Sequence, residues 1–293
     1  MNVLSLFDGM SCGQIALNRA GIAYDKYYAS EIDKHAIKVT QHNYPNTVQL
    51  GDVTQVNKDS LPEIDLLLGG SPCQGFSFAG KQLNFNDPRS ALFFEYVRLK
   101  NELKPKWFLL ENVVMKQEYQ DVISSLLGVQ PIMINSALVS AQSRKRLYWT
   151  NIPNVTQPED KGLLFSDISD ASLVIAIMGR YVSQMVGSRI KGGVRKDNDT
   201  SIKIQQYLEP RLGGKANCLT TVAKDNVVCL EPITKRTLAS ECTYRQLTKL
   251  ECERLQTVPE GYTSLASDSQ AKRMLGNGWT VDVIVHILKG IKD

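Results

Sequence analysis

Long apolar runs are missing from this 293-residue chain, and none approaches the roughly 20 residues that cross a bilayer, which excludes a helical membrane span. The N-terminus opens directly on the strand-like stretch 2–7 (NVLSLF), without the charged and apolar regions of a signal peptide. The expectation is therefore a cytoplasmic protein. Histidine is scarce, at three residues, and the six cysteines (12, 73, 218, 229, 242 and 252) form no C-x-x-C pair. With neither ligand type at metal spacing, no zinc site is expected, and scattered reduced thiols are the simpler reading. The dinucleotide fingerprint G-x-G-x-x-G is absent too, so a nicotinamide cofactor is not indicated. Internal repeats and low-complexity segments are also lacking. Charge is nearly balanced, with a net +4 that hints at an anionic partner without requiring one.

What is present is enough apolar sequence for a sizeable core. Apolar runs at 3–7, 27–30, 47–50, 66–68 and 107–110 read as strands. Amphipathic stretches at 14–20, 33–42, 89–103 and 118–127 read as helices. The third of these carries Leu92, Tyr96, Leu99 and Leu103 at helical spacing and stops before Pro105. Strands alternating with helices predict an α/β fold, with a doubly wound, mostly parallel sheet. Ligands of such sheets bind at the carboxyl ends of the strands. Near the C-terminus, Thr248 and Glu251 have capping-box spacing, and Val281, Ile284, Leu288 and Ile291 mark one face of a closing helix.

Several residues fall at those carboxyl ends. The stretch 6–17 (LFDGMSCGQIAL) is a strand, a glycine-bearing turn and a helix, which brings backbone close to a ligand at a helix N-terminus. Glu31 ends the second strand, where a carboxylate commonly holds ribose hydroxyls, and Asp52 ends the third. Together they outline an adenosine pocket. Cys73 follows Pro72 in the turn 69–77 (GGSPCQGFS), at the end of the fourth strand. A thiolate there is a strong nucleophile near neutral pH. Glu111 and Asn112 end the fifth strand. Arg144 and Arg146 alternate in 141–149 (AQSRKRLYW) and share one face if that segment is extended. From about 160 to 235 helical periodicity fades. Between 180 and 224 nine Lys or Arg oppose three acids, so this segment's surplus exceeds the whole chain's, as a phosphate-binding surface requires.

In this order, LFDGMSCG, Glu31, GDV, GGSPCQGFS, ENV, QSRKR, YRQLTKLECERLQTVP and GNGWTVDVI resemble the DNA cytosine-5 methyltransferases. The likeness is to bacterial and phage restriction-associated enzymes and to the catalytic domain of eukaryotic de novo methyltransferases alike. The resemblance implies a Rossmann-like fold that binds S-adenosylmethionine, with a small, irregular target-recognition domain. It implies a catalytic domain over 1–158, target recognition over 159–240, and closing motifs over 241–293. In the implied mechanism Cys73 attacks carbon 6 of a flipped-out cytosine, giving an enamine whose carbon 5 takes the methyl group. Glu111 protonates or hydrogen-bonds ring nitrogen 3, Asn112 orients it, Arg146 binds the carbonyl oxygen, and Arg144 supports the site and nearby phosphates.

The resemblance assigns the cofactor to Phe7, Asp8, Gly9, Met10, Ser11, Glu31, Ile32, Asp52, Val53, Pro72, Leu92, Asn277, Gly278 and Trp279. It assigns DNA contacts to Gln74, Ser77, Lys81 and Arg89 around a lid from 74 to 90. The basic segment adds Arg180, Arg189, Arg195 and Arg211 as candidates for reading the target. The implied partner is double-stranded DNA, bound by a monomer without metal or membrane, in a prokaryotic or phage-infected cell. Two departures stand out: GNG replaces the bacterial GNS, and Ala79 stands where a lid serine often touches DNA. A tRNA cytosine methyltransferase and a catalytically silent DNA-binding homologue are the alternative readings. Retention of both the thiol and the glutamate argues against the second.

Overall fold

In the computed structural model the first strand, β1 (Asn2–Leu6), runs through the centre of a sheet, and Val3, Leu4 and Leu6 are wholly buried. A strand covered on both faces needs a continuous apolar run, which is what residues 3–6 supply. The structure describes residues 1–71, 88–170, 181–191, 194–195, 198–221, 225–231 and 233–291. Of 88–90, 181, 190, 191 and 195 it describes the backbone alone.

β2 (Lys26–Ser30), β3 (Val48–Gln49), β4 (Leu66–Gly69) and β5 (Trp107–Val113) extend the sheet in parallel. β6 (Ile132–Asn135) and β8 (Lys145–Thr150) complete it, while β7 (Gln142–Ser143) stands apart just before β8. The order is β3-β2-β1-β4-β5-β8-β6, and β8 is antiparallel to both its neighbours. The sheet is thus parallel save for one inserted strand, the α/β architecture expected from the sequence.

Helices cover both faces. α1 (Cys12–Ala20) and α2 (Lys34–Asn43) follow β1 and β2, and α3 (Pro88–Leu103) and α4 (Gln117–Leu127) flank β5. One core holds Ile15, Leu17 and Val39 under the first helix pair. The other packs Phe93, Tyr96, Leu99, Ile123 and Leu127 against Leu67 and Leu110. After the short α5 (Phe165–Ile168), the closing helices are α6 (Lys249–Leu255), α7 (Asp268–Asn277) and α8 (Val281–Leu288). The capping box forms as read: Glu251 N–H donates to Thr248 Oγ1 at 3.1 Å and Thr248 N–H to Glu251 Oε2 at 2.9 Å. Ile284 and Leu288 of α8 join the first core, so the two ends of the chain close one body.

The segment expected to be irregular is built on strands. β9 (Tyr181–Ser188), β12 (Gln205–Pro210), β14 (Val227–Cys229), β15 (Thr237–Leu238) and β16 (Tyr244–Gln246) form an antiparallel sheet ordered β15-β12-β9-β14-β16. β10 (Ile190–Lys191) and β11 (Val194–Arg195) make a hairpin beside it. Leu208, Val227, Cys229, Ile233 and Ala239 give this sheet a core of its own. β13 (Ala216–Asn217) leaves it to pair in parallel with β7, setting the residues after it beside Arg144. Among the described residues no helix is long and apolar enough to cross a membrane.

Candidate active site

The carboxyl ends of β1, β2, β4 and β5 meet where the strand order reverses around β1, the place where doubly wound sheets bind ligands. A cavity of about 430 Å³ opens there. The turn after β1 forms one wall, with left-handed backbone at Phe7 (φ 57°), Gly9 (φ 59°) and Ser11 (φ 65°). That winding turns Phe7, Asp8 and Gly9 toward the cavity. Met10 and Ser11, expected to bind the cofactor, are instead buried: Met10 is core, and Ser11 Oγ accepts from Gln14 Nε2 at 2.9 Å. The structure brings neither to the cavity lining.

Glu31 is held by three backbone donors. Gly9 N–H donates to Oε2 at 2.7 Å, and Ile32 and Asp33 N–H both donate to Oε1 at 2.8 Å. One carboxylate thereby ties the β1 and β2 turns together and presents its remaining lone pairs to the cavity. Ile32 next to it is 73% exposed, an apolar face at the rim. Asp52 is exposed and accepts from Thr54 N–H at 2.9 Å. Burial pushes the Asp8 carboxyl up to about 6, partly offset by the hydroxyls of Ser5, Tyr27 and Ser11. Val53, Leu92, Asn277, Gly278 and Trp279 also line the cavity. Sequence reasoning missed Cys12, Gly51, Gly70, Ser71 and Met274, which also line it. Burial pushes the Cys12 thiol up to about 12, which keeps it protonated and a poor nucleophile.

The second half of the cavity wall carries Glu111. Cross-strand register places Glu111 opposite Tyr148 and Val113 opposite Arg146. Arg146 is therefore the diagonal neighbour of Glu111 on one face, within reach of a long side chain. Its Nε lies 2.9 Å from Glu111 Oε1, with both side chains largely buried. Burial works most strongly against the guanidinium charge, yet Glu111, Cys218 and Tyr148 together outweigh it and hold the Arg146 pKa above its ordinary value. Asn112 Nδ2 donates to Ser71 Oγ at 3.1 Å and reaches Ser71 O at 3.4 Å, anchoring the residue that leads into Pro72 and Cys73. Gly70 passes between the two halves of the site. A Cβ there would lie 2.9 Å from Trp279 Nε1 and 3.2 Å from Glu111 Oε2, so the close approach requires glycine.

Arg144 is tied into the structure by backbone carbonyls. Its buried guanidinium donates to Leu219 O at 2.8 Å and Gly278 O at 2.9 Å, with Gly276 O at 3.3 Å. Both terminal nitrogens are spent on carbonyls, which joins β7, the residues after β13 and the end of α7. That placement holds Arg144 at the wall of the cavity and fixes it to the segments around it. Cys73, Pro72, Gln74, Ser77, Lys81 and Arg180 lie outside the described residues, as do the lid from 74 to 87 and the side chains of Arg89 and Arg195. Arg189 donates through Nε to Ile202 O at 3.1 Å, and Arg211 is exposed on the turn after β12. No group of three or more His, Cys, Asp or Glu among the described residues could hold a metal ion.

A family model described as C-5 cytosine-specific DNA methylase matches residues 1–293. The chain is 46% identical over 115 residues to the orphan methyltransferase M.SPRI of Bacillus phage SPR, covering 39% of this chain and 26% of that one. It is 43% identical over 114 residues to the Type II methyltransferase M.NgoBV of Neisseria gonorrhoeae, covering 38% and 27%. The matched stretch thus spans about a quarter of these curated relatives. Among solved structures, the Entamoeba histolytica methyltransferase EhMeth superposes with a TM-score of 0.73 at 17% identity, over 99% of this chain and 97% of that one. S. pombe Dnmt2 gives 0.70 at 18% identity, again over 99% and 97%. Both likenesses are of fold.

Proposed function

The chain belongs to the C-5 cytosine-specific DNA methylases, and from that premise we propose that it methylates carbon 5 of a cytosine flipped out of double-stranded DNA. The methyl donor is S-adenosylmethionine and the nucleophile is Cys73. The observation that carries this reading is the Glu111–Arg146 pair, at 2.9 Å, on the wall of an acid-lined cavity at the strand ends. Carbon 5 of a cytosine ring is too weakly nucleophilic to take a methyl group directly, and addition of a thiolate at carbon 6 makes it an enamine carbon that can. Attack at carbon 6 becomes feasible once a group at ring nitrogen 3 withdraws electron density, and Glu111 is placed for that task. Arg146 supports the developing charge. Asn112, through Ser71, sets the start of the turn that carries Cys73.

The donors in the cavity fit the cofactor's chemistry. Glu31 and Asp52 suit ribose and adenine polar groups, Ile32, Leu92 and Trp279 suit an adenine face, and Asp8 suits a cationic tail. S-adenosylmethionine, when bound, supplies an electrophilic methyl group on a sulfonium. Glu31→Ala should weaken cofactor binding by about 3 kcal/mol and Asp52→Ala by about 1 kcal/mol, the range for hydrogen bonds to charged groups. The ranking follows from the three N–H donors that only Glu31 organises. Calorimetry giving unchanged affinity in both variants would remove this pocket from the account.

The second sheet and its basic segment supply DNA recognition. Phosphate contacts there give salt-dependent affinity for any sequence, whereas base contacts specify one. Replacing Arg211, or another of the exposed Lys or Arg, should flatten the slope of log K against log salt by about one unit. Changes at Arg180, Arg189 or Arg195 should relax the methylated sequence while turnover stays measurable. Grafting 159–240 into a related methyltransferase should move its target. An active graft that keeps the host's target would place recognition elsewhere. The whole reading is tested by expression in a methylation-free host, followed by mapping of 5-methylcytosine in DNA and in tRNA. Methylation of tRNA alone would replace the DNA reading, and methylation of neither would end it.

A further inference from the structure

Cys218 belongs to none of the recognisable motifs, yet it touches both arginines of the site. The parallel pairing of Ala216 with Gln142 and Asn217 with Ser143 carries residue 218 level with Arg144. Its Sγ accepts from Arg144 Nη1 at 3.2 Å and from Arg146 Nη2 at 3.5 Å, and approaches Leu219 O at 3.6 Å. The thiol is partly exposed, unlike the buried Cys12, Cys229 and Cys252.

The contact with Arg146 bears on how the catalytic pair is arranged. A guanidinium prefers to grip a carboxylate with two parallel N–H bonds. Here that fork stays open: Nε lies at ion-pair distance from Glu111 Oε1, 2.9 Å, while Nη2 donates to Cys218 Sγ. Nη1 is occupied by Lys145 O at 2.8 Å. Among the described residues Glu111 Oε2 makes no hydrogen bond, and it stands beside Gly70 on the cavity side. A fork closed on both oxygens would tie up the oxygen that must meet the base.

We propose that Cys218 is a positioning residue for methyl transfer, holding Arg146 Nη2 so that Glu111 keeps one oxygen for the substrate ring. The inference rests on the proposed function and adds to it a residue of the second-sheet segment. Because the thiol acts on the pair and not on the ligands, its loss should lower kcat and spare binding.

The test uses the full chain with S-adenosylmethionine and cytosine-containing duplex DNA. Cys218→Ala is expected to lower kcat by about tenfold, the scale of one redirected charge-assisted hydrogen bond, with KM for DNA and cofactor unchanged. Cys218→Val, which fills the site without an acceptor, should behave like Cys218→Ala. Cys218→Ser, which restores an acceptor, should recover most of the rate. A merely structural role would show as raised KM, a lowered unfolding midpoint and rescue by Val as well as Ser, and would overturn the proposal. So would an unchanged kcat in Cys218→Ala. Absence of cytosine methylation by the unsubstituted protein would instead sink the proposed function itself.

Discussion

Cys73→Ser is expected to abolish methyl transfer, by about 10³-fold or more, while DNA and cofactor binding stay nearly intact. A serine hydroxyl remains protonated near neutral pH, whereas a thiol is readily ionised and strongly nucleophilic. No other described cysteine is a ready substitute at the cavity. Burial raises the Cys12 thiol to about 12, and the sulfur of Cys218 is taken up by two guanidinium groups. Binding should survive because the phosphate contacts and the adenosine pocket do not involve residue 73. Radiolabelled methyl transfer and a DNA mobility assay on the same preparations check both halves. Wild-type turnover in Cys73→Ser would refute the mechanism.

Arg144→Ala is expected to destabilise the protein by about 3 kcal/mol or more. The substitution strips the buried donor from the carbonyls of Leu219, Gly276 and Gly278, which lie on two segments far apart in sequence, and Gly278 O keeps Gln256 Nε2 at 3.3 Å. Buried acceptors left without donors cost more than the net value of the bonds they made. Arg144→Lys should recover part of the loss, since one ammonium reaches fewer of these carbonyls than a planar fork. Denaturant unfolding gives the comparison. An unchanged midpoint combined with weakened DNA binding would return Arg144 to the phosphate role that the resemblance implies for it.

These two residues mark the reach and the limits of the sequence. Cys73 could be picked out as a candidate because a proline and glycines around a thiol, after the apolar run that forms β4, are local signals, and it lies outside the described residues. The capping box at Thr248 and Glu251 was legible for the same reason. The partners of Arg144 were not, because they are carbonyls 75 and 132 residues away, and a carbonyl leaves no mark in a sequence. The second sheet was hidden by its short strands and long-range pairing, with β9 joined to both β12 and β14. Met10 and Ser11 entered the cofactor set through the resemblance carried by LFDGMSCG. Left-handed backbone at Phe7, Gly9 and Ser11 then turned them into the protein. Cys218 carried no signal at all, since its role comes from the β13–β7 pairing.

The central claim is the covalent step, and duplex DNA carrying 5-fluorocytosine at the target tests it most directly. A fluorine at carbon 5 cannot leave as a proton, so the cycle should halt after methyl transfer with the enzyme still bonded to carbon 6. Intact mass spectrometry should find a denaturation-resistant complex of one chain with one DNA, and peptide mapping should place the bond on Cys73. The adduct should require S-adenosylmethionine for its accumulation and be absent from Cys73→Ser. A protein that methylates ordinary cytosine yet forms no adduct with the fluorinated base, or forms it on another residue, would contradict the account.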